Sequence, residues 1–206
     1  HLLEAMSLHG VSNIVNTGTY WEHFQNKPYC PVNLYSATKH AFQDLLQYYV
    51  EVKGINAISL KLFDTYGPND PRNKLLSLLI NAANTGETLM MTPGKQKIDL
   101  VHINDVVNAY IVAAKRLLEG HVEHHEVYGV GSGNPISLKE LVAMLEEQFG
   151  QSLNIDWGGR EYRPREVMKP WDQYHALPGW NPVYSIENVV KLFSASLEMN
   201  IYDGSE

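Results

Sequence analysis

Two short apolar runs on either side of one helix-like stretch restrict the fold of this chain more than any other feature. Residues 11–16 (VSNIVN) read as a short buried strand and residues 55–63 (INAISLKLF) as a second one. Between them, residues 36–53 read as a helix with Gly54 as its C-cap. Strands alternating with helices predict an α/β fold with a largely parallel sheet.

The alternation continues less regularly after Asp64. A turn-rich stretch (DTYGPNDPRNK) precedes a helix over 75–84, and short strands are expected at 88–91 and 99–103 around the Pro93-Gly94 turn. Asn104 or Asp105 is expected to cap a helix running to about Glu119. A strand follows at 126–130, and Ser137 and Glu140 have capping-box spacing for a helix to Phe149. A strand at 153–157, a long loop over 158–182 and a terminal helix starting at Ser185 complete the reading. This irregularity fits a second, smaller lobe interleaved with the end of the sheet. At the other end, Leu2, Leu3, Met6 and Leu8 form the apolar face of a helix with no capping residue before it, as though the chain began within a larger fold.

Composition removes several classes of function. With 206 residues, 44% hydrophobic and 19% charged, the chain can bury a sizeable core. A net charge of −7 with no block of Lys or Arg argues against nucleic acid as a partner. No apolar run is long enough to span a bilayer, and no signal peptide opens the chain. The single cysteine, Cys30, excludes an intrachain disulfide and fits a reducing, cytoplasmic compartment. No metal site is expected.

Tyr35-Ser36-Ala37-Thr38-Lys39 is the stretch that carries chemistry. Tyr at i and Lys at i+4 share one face of a helix. A nearby ammonium favours the phenolate, so this pair can act as a general acid/base near neutral pH. The plain alternative is an exposed Tyr and a solvated Lys at a helix start. Thr17 follows the first strand directly, at the carboxyl end where ligands gather in parallel sheets. It can bond a substrate oxygen while Tyr35 moves the proton, or simply bond its own turn.

The order of motifs then carries a resemblance. Asn16-Thr17-Gly18-Thr19 and the Tyr35 pentapeptide are followed by Leu62-Phe63-Asp64-Thr65-Tyr66-Gly67-Pro68. Next come Asp99-Leu100-Val101-His102-Ile103-Asn104-Asp105, Tyr128-Gly129-Val130-Gly131-Ser132-Gly133, Arg163-Pro164-Arg165-Glu166 and Leu177-Pro178-Gly179-Trp180-Asn181-Pro182. The series resembles the extended short-chain dehydrogenase/reductase family of NAD-dependent nucleotide-sugar epimerases, dehydratases and reductases. The resemblance implies a Rossmann-like parallel sheet, of which residues 1–68 are the C-terminal part. Residues 69–206 are then mainly an α/β substrate-binding lobe interleaved with the last sheet elements.

It also implies roles. Tyr35 is similar to the family's acid/base, Lys39 to the lysine that tunes it and binds the nicotinamide ribose, and Thr17 to the third member of the triad. Phe63 stands where the family approaches the nicotinamide of NAD or NADP. Thr19, Asp64, Lys74, Leu75, Met90, Thr92, Arg163 and Glu166 match substrate-contacting positions, with Arg163 suited to phosphate oxygens. Two departures stand out. Asp64 replaces a common Asn, and Ile98 replaces an Arg, leaving Lys95, Lys97, Arg72 or Arg165 to supply that charge. The family's Gly-rich cofactor turn has no counterpart, because Gly129, Gly131 and Gly133 come late and lead into Pro135. On this reading the chain holds the carboxyl part of a family member and is inactive as an isolated segment.

Dehydratases of the family place Asp-Glu after the triad Thr. Gly18 and Thr19 stand there instead, which argues against elimination. A 4-epimerase or a reductase of a 4-keto sugar nucleotide remains. The 62–72 segment and the triad turn resemble bacterial CDP-4-keto-deoxyhexose reductases that supply surface polysaccharide. A non-catalytic binding member is the contrasting class. Family members commonly dimerise through the Tyr-Lys helix, for which Leu45, Leu46 and Tyr49, with Leu2, Leu3 and Met6, can supply the apolar face.

Overall fold

The computed structural model describes residues 1–187 other than 69, 71 and 73. Its central sheet has the order β1-β2-β7, from strands β1 (Asn13–Thr19), β2 (Asn56–Leu62) and β7 (His125–Val130), all parallel. The register pairs Asn16 with Ser59, Gly18 with Lys61 and Leu62 with Val130. The expected parallel α/β arrangement is therefore present, and β7 joins the sheet from far along the chain.

Helices cover both faces. On one, α1 (Leu2–Leu8) and α2 (Leu34–Lys53) bury Leu3, Met6, Leu46 and Val50 against Ile55 and Ala57. On the other, α4 (Ile103–Leu118) buries Val106, Ala109, Ala113 and Leu117 against Ile58, Leu60 and Val130. The alternation of side chains along a strand makes this division possible: Ala57 faces one layer and Ile58 the other.

Local chemistry explains the boundaries. Asn33 caps α2 by accepting from the Ser36 N–H at 3.0 Å, and Ser36 Oγ accepts from the Asn33 N–H. Gly54 closes α2 with φ +70°, as expected for an αL cap. Helix α5 (Leu138–Phe149) opens with the Ser137–Glu140 capping box. The cap of α4 is a correction. Neither Asn104 nor Asp105 fills it, because His102 Nδ1 accepts from the Asn104 N–H at 3.2 Å. Asp105 instead turns its carboxylate to the Val183 and Tyr184 N–H groups, at 3.0 and 3.1 Å.

The remaining strands build a second cluster. β3 (Asp64–Tyr66) pairs with β6 (Leu100–His102) and β4 (Leu89–Met91) with β9 (Ile155–Trp157), both parallel, while β5 (Lys97–Ile98) runs antiparallel to β8 (Ile136–Ser137). The strands on either side of Pro93-Gly94 thus pair with distant segments and not with each other. Helices α3 (Leu75–Thr85) and α5 supply Leu76, Leu79, Leu141 and Leu145 to this core. The terminal helix expected from Ser185 lies almost wholly outside the described residues; Ser185, Ile186 and Glu187 fall within them, and the last two are helical. No helix among the described residues is long and apolar enough to cross a membrane.

The apolar set expected to serve a dimer divides. Leu3, Met6 and Leu46 are buried against the sheet, whereas Leu2 and Leu45 are exposed, together with Tyr48 and Val52.

Candidate active site

Tyr35 sits in the first turn of α2 and is 52% exposed. Lys39, one turn on, holds its Nζ 5.9 Å from the centre of the Tyr35 ring. Thr17 lies near the carboxyl end of β1 and points to the α4 face, where its hydroxyl is hydrogen-bonded to the phenol of Tyr110. The Tyr35 phenol acts electrostatically on Tyr110, so Thr17, Tyr110 and Tyr35 share one neighbourhood at the end of the sheet.

A cavity of about 900 Å³ opens between the sheet end and the second cluster. It brings together Asp64, Lys74, Leu75, Met90, Thr92, Arg163 and Glu166, seven positions assigned to substrate from the sequence. Thr19 is not among its lining residues. Thr19 is buried, its Oγ1 accepts from the Trp21 N–H at 3.3 Å, and its N–H donates to Glu22 Oε1 at 3.1 Å. Phe63 is buried as well, stacked on Tyr20 with ring centres 4.5 Å apart. Its ring belongs to the core, its N–H donates to the Val130 carbonyl at 3.4 Å and its carbonyl accepts from the Thr65 hydroxyl at 3.3 Å.

Asp64 forms part of the cavity wall. Burial pushes its carboxyl up to about 6, and Asp99 adds to the rise; the Tyr20 hydrogen bond, Lys74 and Arg163 pull it back. Tyr20 donates to Asp64 Oδ2 at 2.8 Å, and burial together with this carboxylate holds the phenol above its ordinary value. Lys74 donates to the Thr65 carbonyl at 2.7 Å and lies 3.7 Å from Asp70. Arg163 is held by Glu166 at 3.3 Å, with its guanidinium 5.9 Å from the centre of the Trp21 ring. Of the cations nominated to replace the missing Arg, Lys97 and Arg165 line the cavity, and Arg160 joins them. Arg165 donates to the Pro31 carbonyl.

The model of the NAD dependent epimerase/dehydratase family matches residues 1–131. The chain belongs to that family. It is 33% identical over 179 residues to a CDP-abequose synthase of Yersinia pseudotuberculosis, covering 85% of this chain and 61% of that protein. A CDP-abequose synthase of Salmonella muenchen is 31% identical over 193 residues, 92% of this chain and 64% of that one. The chain thus spans less than two thirds of the length of these relatives. The crystal structure of a UDP-glucose 4-epimerase of Thermotoga maritima with UDP-glucose superposes with a TM-score of 0.81 at 21% identity, covering 97% of this chain and 68% of that one. At that identity the likeness is one of fold.

Within this family member the late glycines have a packing role. A Cβ on Gly129 would lie 2.4 Å from the Tyr174 ring, and one on Gly131 would lie 2.9 Å from Asp99 Oδ2. Asp99 accepts from the Ser132 and Gly133 N–H groups at 2.7 and 3.1 Å. These glycines admit Tyr174 and the Asp99 carboxylate, so the space beside their backbone is already filled by protein.

Reading the sequence missed Tyr20, Trp21, Tyr110 and the buried ion pair of Lys61 with Glu22. Lys61 carried a usable signal: a lone charge inside the apolar run 55–63 requires a buried partner. Tyr110 carried none, since one aromatic residue within an amphipathic helix is ordinary core. Among the described residues no cluster is suited to hold a metal ion.

Proposed function

We propose that this chain carries the substrate side of an NAD(P)-dependent nucleotide-sugar oxidoreductase that reduces the 4-keto group of an NDP-deoxyhexose. The observation that carries this reading is the cavity beside the sheet end, which gathers Asp64, Lys74, Met90, Arg163 and Glu166 in a chain that also keeps Thr17, Tyr35 and Lys39. The CDP-abequose synthase relatives favour a cytidine diphosphate sugar, and by extension a place in cytoplasmic synthesis of polysaccharide sugars.

In this proposal Tyr35 gives its proton to the sugar oxygen, the Lys39 ammonium lowers the cost of the resulting phenolate, and Thr17 hydrogen-bonds the same oxygen. Arg163, Lys74 and Lys97 meet the diphosphate. Met90, exposed at the rim of the cavity, covers the base. Bound NAD or NADP supplies the hydride chemistry. The residues present suit its nicotinamide-ribose end, where exposed Tyr35 and half-buried Lys39 stand one helical turn apart. No Gly-rich turn for its pyrophosphate occurs among the described residues, since Gly129 and Gly131 are packed by Tyr174 and Asp99. Residues 1–68 then belong to the dinucleotide-binding domain and residues 69–206 mainly to the substrate lobe. The exposed side of α2, with Leu45, Tyr48 and Val52, serves a homodimer.

A specific observation opposes elimination chemistry. A Cβ on Gly18 would stand 2.7 Å from Lys61 Cδ, so the space after Thr17 does not admit the acidic side chain that dehydration requires. The test uses protein expressed from the complete reading frame, assayed with CDP-, UDP-, GDP- and dTDP-linked 4-keto sugars and NADH or NADPH. Stoichiometric nicotinamide oxidation, lost in Tyr35→Phe with the fold intact, is the expected result. Isomerisation without net oxidation would make the protein a 4-epimerase. Full activity in Tyr35→Phe would overturn the assignment of the acid/base.

A further inference from the structure

We infer that Tyr110 is a positioning residue for the reaction, aiming the Thr17 hydroxyl by donating a hydrogen bond to it. This rests on the proposed role of Thr17 and adds a residue from the opposite face of the sheet to the Tyr35 helix.

A threonine hydroxyl has one proton and two lone pairs. To polarise a substrate carbonyl oxygen it must spend its own proton on that oxygen, so any protein partner must be a donor to it. If the partner were an acceptor, the Thr17 proton would be turned into the protein and the site would present only a lone pair. A carbonyl oxygen cannot use that. The identity of the group bonded to Thr17 therefore decides whether the residue can serve the reaction.

The partner is the Tyr110 phenol, from the middle of α4. Tyr110 is half-buried and packs against the main core beside Ala109 and Ala113. Burial holds its phenol above its ordinary value, the Thr17 bond works the other way, and the nearby Tyr35 phenol adds to the rise. The group is therefore a protonated O–H throughout the neutral range. Thr17 Oγ1 is the one hydrogen-bond partner of its hydroxyl among the described residues; either oxygen can give the shared proton, and donation by Tyr110 is the arrangement that serves the reaction. In that arrangement Thr17 accepts, and its own proton stays available for a substrate oxygen. Helix packing fixes the arrangement. Val106, Ala109 and Ala113 seat α4 on Ile58 and Leu60, and the small Ala109 and Ala113 let the helix approach closely.

The experiment is a double-mutant cycle of Thr17→Val and Tyr110→Phe in the protein from the complete reading frame, with kcat, KM and thermal midpoint measured for each. Tyr110→Phe is expected to lower kcat about tenfold, the effect of one hydrogen bond, with KM and midpoint nearly unchanged. In the Thr17→Val background it is expected to do nothing further, because its effect passes through Thr17. Wild-type kcat in Tyr110→Phe, or an equal loss in both backgrounds, would overturn the inference. An unaffected kcat in Thr17→Val would instead overturn the role of Thr17 itself. A second readout needs no turnover. With tyrosines labelled at Cζ, Thr17→Val should shift the Tyr110 carbon resonance, and an unmoved resonance would show that the bond is not made.

Discussion

The ammonium of Lys61 on β2 is hydrogen-bonded to the Glu22 carboxylate in the turn after β1, and the two side chains are 1% and 0% exposed. Glu22 also accepts from the Thr19 N–H and lies 2.9 Å from His40 Nδ1, so one carboxylate ties β1, β2 and α2 together. Burial lowers the Lys61 pKa, and Glu22 opposes that fall.

Removing one partner strands the other charge. Lys61→Met is expected to cost about 3–5 kcal/mol of stability, and the double variant Lys61→Met/Glu22→Gln should recover much of the loss. Urea unfolding of the two variants measures both effects. Equal stability of the single and double variants would contradict the pairing.

Gly18 is the space into which the Lys61 stem fits. Gly18→Ala puts a methyl 2.7 Å from Cδ of a side chain that is pinned at its far end. A loss of about 1–3 kcal/mol is expected from this overpacking. The same substitution in a Lys61→Met background should cost less, because the Met end is free to move aside. Thermal melts of the four proteins test the coupling.

Asp64 sets a pH dependence on ligand binding. With its carboxyl raised to about 6, it is largely neutral below that pH and charged above it. Binding of cytidine diphosphate is therefore expected to tighten as pH falls from 8 to 5, because an anion in the cavity wall is removed. Asp64→Asn should flatten this part of the profile. Calorimetry on both proteins cancels the ligand's own ionisation. For stability the sign is the same: a raised carboxyl contributes fully below its unfolded value of 3.8 and loses that contribution as pH rises through about 6.

His125 acts in the opposite sense. Its Nδ1–H donates to Gln47 Oε1 at 2.9 Å and its Nε2 accepts from Ser59 Oγ at 2.8 Å, an arrangement that needs the neutral ring. Burial, with Lys61 adding to it, lowers its pKa below the ordinary 6.5. The stability it contributes is full above 6.5 and is lost as pH falls through the folded value. Wild type should therefore lose more stability between pH 7.5 and 5 than His125→Gln does. Denaturant midpoints at the two pH values measure the difference.

Much of this molecule could be read from local sequence. The helix between the first two strands with its Gly54 cap and the Ser137–Glu140 capping box arise from interactions within a few residues, and sequence order displays such interactions directly. The strands read at 11–16 and 55–63 are present as Asn13–Thr19 and Asn56–Leu62, the first displaced because pairing with β2 takes in Thr17, Gly18 and Thr19. The motif series likewise named Asp64, Lys74, Leu75, Met90, Thr92, Arg163 and Glu166, which line the cavity, whereas Thr17, Thr19, Tyr35, Lys39 and Phe63 of the same series are not among its lining residues. Tertiary structure decided the rest. Whether Asn104, Asp105 or His102 caps α4 depended on the Val183 and Tyr184 amides, 78 or more positions away. Whether Leu46 faced the sheet or solvent depended on where α1 and α2 packed, and the purpose of Gly18 appeared only once Lys61 lay across it. Tyr110 is the clearest case. Ninety-three positions separate it from Thr17, and only the packing of α4 on the back of the sheet makes them partners.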